Sequence, residues 1–68
     1  MVNTSLLREK IADSGMTITA LARKVGLSRE AVYYKLNGKK AEFTASQIVN
    51  ISNALHLTND ERDEIFLR

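Results

Sequence analysis

Apolar residues recur along the chain in five short blocks, most with a three- or four-residue spacing and each bounded by capping or turn residues. In the first block Leu7 and Ile11 stand one turn apart with Leu6 beside them, which predicts a helix over residues 5–14, capped by Asn3 or Thr4 and ended by Gly15. The second block, Leu21, Ala22 and Val25, is the inner stripe of a helix over residues 18–25, with Thr17 as N-cap and Gly26 as the left-handed residue past its end. A third helix starts at Arg29 behind the cap Ser28 and stops at Leu36 or Asn37, before Gly38. Residues 39–43 read as a loop. Thr44 caps a fourth helix, whose Ile48, Val49, Ile51, Ser52 and Leu55 give a mostly apolar face, and Leu57 and Thr58 break it. Thr58 or Asn59 caps the fifth. It opens with Asp60, Glu61, Asp63 and Glu64, carboxylates that suit the positive end of a helix dipole, and closes on Ile65, Phe66 and Leu67. No linker, repeat or low-complexity segment interrupts the pattern. The expected fold is all-α, a compact five-helix domain over residues 1–68.

Residues 17–38, TITALARKVGLSREAVYYKLNG, are organised differently from the rest. Two short helices meet at one tight turn. Small Ala22 lets the second cross close over the first, and Gly26 takes a positive φ without a Cβ cost. Leu27, Val32 and Leu36 then face the core. The opposite face of the third helix holds Arg29, Glu30, Tyr33, Tyr34 and Asn37, with no large aliphatic residue among them. Those groups match base edges: an Arg fork for guanine, a Glu acceptor for the cytosine amino group, and ring surfaces for thymine methyls. Free N–H groups at the starts of the second and third helices, with the Thr17 and Ser28 hydroxyls nearby, suit phosphates, and Lys39 and Lys40 follow directly. This is the form of a helix-turn-helix, whose second helix enters the major groove.

Charge sharpens that picture. Residues 1–40 carry eight Lys and Arg against three Asp and Glu, whereas residues 41–68 carry two against five, so one half suits a polyanion and the other is turned from it. With 68 residues there is one small core, worth no more than about 3–5 kcal/mol net unless helix packing or a partner adds to it. There is no Cys, hence no disulfide or thiolate metal site, which fits a reducing cytosol. No apolar run approaches the ~20 residues of a membrane span, and the first residues, MVNTSLLREK, lack the apolar core of a signal peptide. A soluble cytoplasmic protein with no membrane partner is expected.

Enzyme chemistry finds no footing. His56 is the only His, so no nucleophile–His arrangement beyond a single imidazole can form, and its place at the end of the fourth helix suits an interaction with C-terminal carbonyls. Asp60, Glu61, Asp63 and Glu64 lack the spacing and Gly of a calcium loop. There is no Gly-rich phosphate loop. No catalytic residue, metal site or cofactor is assigned.

The segment T-x-x-x-L-A-x-x-x-G-L-S-R-E-x-V-Y-x-x-x-N-G-K, from Thr17 to Lys39, resembles the lambda-type repressor and Cro family of helix-turn-helix proteins of phage switches and bacterial regulators. The match is close there and looser over the other helices. The resemblance implies a five-helix domain that binds operator DNA as a two-fold dimer, with half-sites about one helical turn apart. By position it puts Arg29, Glu30 and Tyr34 at base-contacting sites with Tyr33 nearby, leaving open which tyrosine reads bases. It places Ser28, Asn37 and Lys39 near phosphates; Thr17, Thr19 and Lys40 join that set as candidates. Two positions depart from the family pattern. Ile18 stands where many members have Gln, and so faces either the core or a thymine methyl. Lys35 stands where many bury an apolar residue, so Leu36 takes that place and the reading helix is rotated slightly.

Leu57, Ile65 and Phe66 are the candidate dimer interface, formed by the bend between the fourth and fifth helices and by the fifth. The competing use of the terminal Ile65-Phe66-Leu67 run is to close the core over the first helix. Because the chain stops just past its fifth helix, a single-domain Cro-like repressor is expected, one that acts by occupying a promoter. It would dimerise weakly and complete the dimer on DNA. The alternative keeps the fold but acts by docking on a second phage regulator, as an anti-repressor or antitoxin-like modulator.

Overall fold

Each helix begins where a short polar side chain takes over a backbone N–H that the helix itself leaves free. In the computed structural model, which describes residues 2–37 and 42–67, five such starts produce α1 (Thr4–Asp13), α2 (Ile18–Val25), α3 (Arg29–Asn37), α4 (Ala45–Ala54) and α5 (Asn59–Phe66). The Asn3 side chain accepts from the Leu6 N–H at 3.0 Å, Thr17 from Ala20 at 3.0 Å, and Ser28 from Ala31 at 3.0 Å. Thr44 and Thr58 go further and form reciprocal capping boxes with Gln47 and Glu61. The expected elements are thus present, with α1 shifted one residue toward the N-terminus. Asn3 rather than Thr4 caps α1, and Thr58 rather than Asn59 caps α5.

Two helices end in the same way. After α2 the Leu27 N–H donates back to the Ala22 carbonyl at 2.9 Å and Gly26 to Arg23 at 3.4 Å. After α4 the Leu57 N–H donates to Ser52 at 2.9 Å and His56 to Asn53 at 3.3 Å. Both are Schellman turns, which need a left-handed residue at the pivot. Gly26 supplies it with φ +75°, and His56 with φ +53°. The His56 backbone N–H thus reaches one of the last carbonyls of α4, that of Asn53. In each turn the following leucine, Leu27 or Leu57, is half-buried against the core.

One core joins all five helices. It consists of Leu7 and Ile11 from α1, Leu21, Ala22 and Val25 from α2, Val32 and Leu36 from α3, Ile51 with Leu55 from the end of α4, and Ile65 and Phe66 from α5. α2 packs against α3 and α4, while α1 packs against α3 and α5. The Asn3 N–H donates to the Ile65 carbonyl at 2.7 Å, so the start of the chain is tied to its last helix. No helix among the described residues is long and apolar enough to cross a membrane.

Two expectations are corrected. Val49, expected on the apolar face of α4, is 55% exposed. Ile48, Ile51, Ser52 and Leu55 follow the i, i+3, i+4, i+7 rhythm of a single stripe, and Val49 falls outside it. Ile65 and Phe66, expected at a dimer surface, are 0% and 7% exposed and fill the core where α5 packs on α1 and α4. Their rings and branches are needed inside this chain, and Leu67 alone of the terminal run faces out.

Candidate nucleic-acid interface

The paired α2–turn–α3 unit is held by its inner residues. Ala22, 2% exposed, gives α3 a close seat, and Val32 and Leu36 fix which side of α3 faces inward. With about 100° of turn per residue, Glu30 and Tyr34 then point almost directly outward, with Arg29 and Tyr33 as a second row beside them. All four are exposed, Tyr34 at 72% and Tyr33 at 42%. The four residues proposed from sequence to meet base edges thus share one outer surface.

Arg29 and Tyr33 also touch each other. The guanidinium carbon of Arg29 lies over the Tyr33 ring, 5.8 Å from its centroid, within the range of a cation–π contact. Among the described residues Tyr34 carries no such contact, and it projects outward at 72% exposure. The structure therefore separates the two tyrosines, which sequence alone leaves equivalent.

The helix starts are arranged for anions. Thr17, Thr19 and Ser28 are exposed. The Thr17 and Ser28 oxygens accept from the backbone, which leaves each hydroxyl proton free to donate. The first backbone N–H groups of α2 and α3 have no acceptor within their own helix, so the partial positive end of each dipole is open. Ile18, the first residue of α2, is half-buried and packed on the core.

Asn37 is exposed, but its side-chain oxygen accepts a hydrogen bond from the Arg8 guanidinium of α1. That contact carries Arg8 to the C-terminal end of α3. Arg8 is the functional candidate that sequence reading passed over. The only signal for it was its contribution to the basic half of the chain, since nothing in the spacing links residues 8 and 37. Lys39 and Lys40 lie outside the described residues.

Lys35 resolves the second departure from the family pattern. Its ammonium donates to the Glu42 carbonyl at 2.6 Å and lies 5.3 Å from the centre of the Phe43 ring. Phe43 in turn meets Phe66 edge-on, with ring centres 5.7 Å apart. The aliphatic stem of Lys35 thus covers part of the core edge while its charge is satisfied beyond it. Leu36, 4% exposed, supplies the buried side chain one position later.

One carboxylate of the acidic half is tied to the first helix. Glu61 on the first turn of α5 binds Lys10 of α1 at 2.5 Å. The Lys10 hydrogen bond first, and the Thr58 backbone N–H second, hold its carboxyl down at about 2, against an ordinary value of 4.5.

Comparison with known proteins agrees with the geometry. No curated protein and no solved structure matches the chain significantly. A family model described as the Cro/C1-type HTH DNA-binding domain matches residues 6–61, which runs from α1 into the first turn of α5. With that match over most of its length, and with α2 and α3 paired as described, the chain belongs to the Cro/C1-type helix-turn-helix DNA-binding domain family.

Proposed function

We propose that this domain is a Cro-like transcription regulator that binds operator DNA as a dimer and represses by occupying a promoter. The observation that carries the reading is the outer face of α3: Arg29, Glu30, Tyr33 and Tyr34 are exposed together, while Val32 and Leu36 lock the helix from behind. A face of that composition, on a helix whose start is open to phosphates, suits the major groove. Arg29 meets guanine, Glu30 accepts from cytosine, and Tyr34 covers a thymine methyl. Thr17, Thr19, Ser28, Lys39 and Lys40 contact phosphates, with Arg8 and Asn37 at the far end of α3. The working place of such a protein is the bacterial cytoplasm.

Dimerisation needs an apolar surface outside the core. Val49 and half-buried Leu57 line one shallow groove with Arg62, and Leu67 is exposed at the end of α5. This side of α4 and α5 replaces Ile65 and Phe66 in the proposed interface. The same groove serves the second reading, in which the domain docks on another regulator.

Selection from a pool of random duplexes tests the proposal. Enrichment of one two-fold-related motif supports it. Arg29→Ala should then cost about 1–3 kcal/mol at one base position per half-site, while Arg8→Ala weakens all sequences alike. Absence of any enriched motif rejects the DNA reading in favour of the protein-docking one.

A further inference from the structure

We propose that Tyr33 is the positioning residue for Arg29, so that the guanine-reading unit of α3 is the Arg29–Tyr33 pair and Tyr34 is the aromatic residue that meets DNA by itself. The inference rests on the reading that α3 enters the major groove. Arg29 is the first residue of its helix and has no preceding turn to pack against. Among the described residues it makes no ion pair and no side-chain hydrogen bond, and Glu30, the next residue, projects about 100° away around the helix. The contact that orders its long side chain is the Tyr33 ring one turn on, 5.8 Å from the guanidinium carbon.

The chemistry of that contact suits base reading. The contact with the ring commits none of the guanidinium's N–H donors to a hydrogen bond. The fork that matches guanine O6 and N7 therefore stays available while the side chain is held. Holding it beforehand lowers the side-chain entropy lost on binding. Tyr33 engages Arg29 with its ring rather than its hydroxyl, so Tyr33→Phe preserves the contact, whereas Tyr33→Leu and Tyr33→Gln remove it. Tyr33 is 42% exposed, outside the core, so each variant should fold, and a helical circular-dichroism melt shows that it has.

The experiment is a binding competition. The duplex recovered by selection is set against its single-base variants for the wild type, Arg29→Ala, Tyr33→Phe, Tyr33→Leu, Tyr33→Gln, and Arg29→Ala combined with Tyr33→Leu. Arg29→Ala is expected to flatten the preference at one base pair. Tyr33→Leu and Tyr33→Gln are expected to lower the preference at that same pair about 2- to 5-fold. Tyr33→Phe keeps it, and Tyr33→Leu adds nothing once Arg29 is gone. Additive losses, or a Tyr33→Leu effect at a different base pair, overturn the positioning role and leave Arg29 as a reader. An Arg29→Ala variant that flattens no base pair removes the reading itself, and the positioning role with it.

Discussion

Glu61 of α5 spends both carboxylate oxygens on different elements: one accepts the Lys10 ammonium of α1 at 2.5 Å, the other the Thr58 N–H at 2.8 Å. A single side chain thus closes the capping box of α5 and ties that helix to α1. The Lys10 bond, with the Thr58 N–H second, lowers the Glu61 carboxyl from 4.5 to about 2. A carboxylate whose folded value is depressed stabilises the fold above its unfolded value and loses that contribution as pH falls toward its folded one. The Glu61 bond and its charge raise Lys10, so its share is present below 10.5 and lost only as pH rises through the raised value. Denaturant melts of the wild type should therefore weaken between pH 4.5 and about 2. In Glu61→Gln that part of the acid dependence should be missing. An unchanged acid limb in the variant would show that the pair does not contribute to folding.

Gly26 and His56 occupy the same pivot in two equivalent turns, and this makes them an internal comparison. A side chain at a left-handed position costs about 1–2 kcal/mol, although His tolerates it better than most. A Cβ placed on Gly26 meets nothing within 4 Å, so the penalty there is conformational alone. Gly26→Ala should destabilise by about 1 kcal/mol, and His56→Gly should stabilise by about 0.5–1 kcal/mol. Thermal melts of the two variants should move in opposite directions.

The last apolar run divides cleanly between inside and outside. Ile65→Ala should cost about 2–5 kcal/mol, the usual loss for a large-to-small change at a fully buried site. Leu67→Ala should leave folding within about 0.5 kcal/mol of the wild type. Val49→Asp and Leu67→Asp should leave the fold intact and reduce self-association in sedimentation. If Ile65→Ala weakened association without changing stability, the core assignment would be wrong.

These positions also show where sequence is legible. α2 was bounded to the residue because Thr17, the Leu21-Ala22-Val25 stripe and Gly26 are local signals that agree. The outer face of α3 followed from the same periodicity. Ile65, Phe66 and Leu67 were ambiguous because consecutive residues lie about 100° apart on a helix, and packing from α1 and α4 decides which two turn inward. Val49 misleads for a similar reason, since one step of about 100° from Ile48 carries it out of the Ile48, Ile51, Ser52 and Leu55 stripe to 55% exposure. The left-handed turn at His56 has no Gly to announce it. The Arg8–Asn37 contact spans 29 residues and arises only when α1 and α3 are packed together.

The most direct test of the account is a nuclear magnetic resonance titration of the isotope-labelled protein with the selected duplex. The largest amide shifts should fall on residues 28–37 and on Thr17 and Thr19, with smaller shifts around Val49, Leu57 and Leu67 as the dimer completes. Shifts concentrated on Val49, Leu57 and Arg62, with α3 unmoved, would contradict the claim that α3 is the surface that reads DNA.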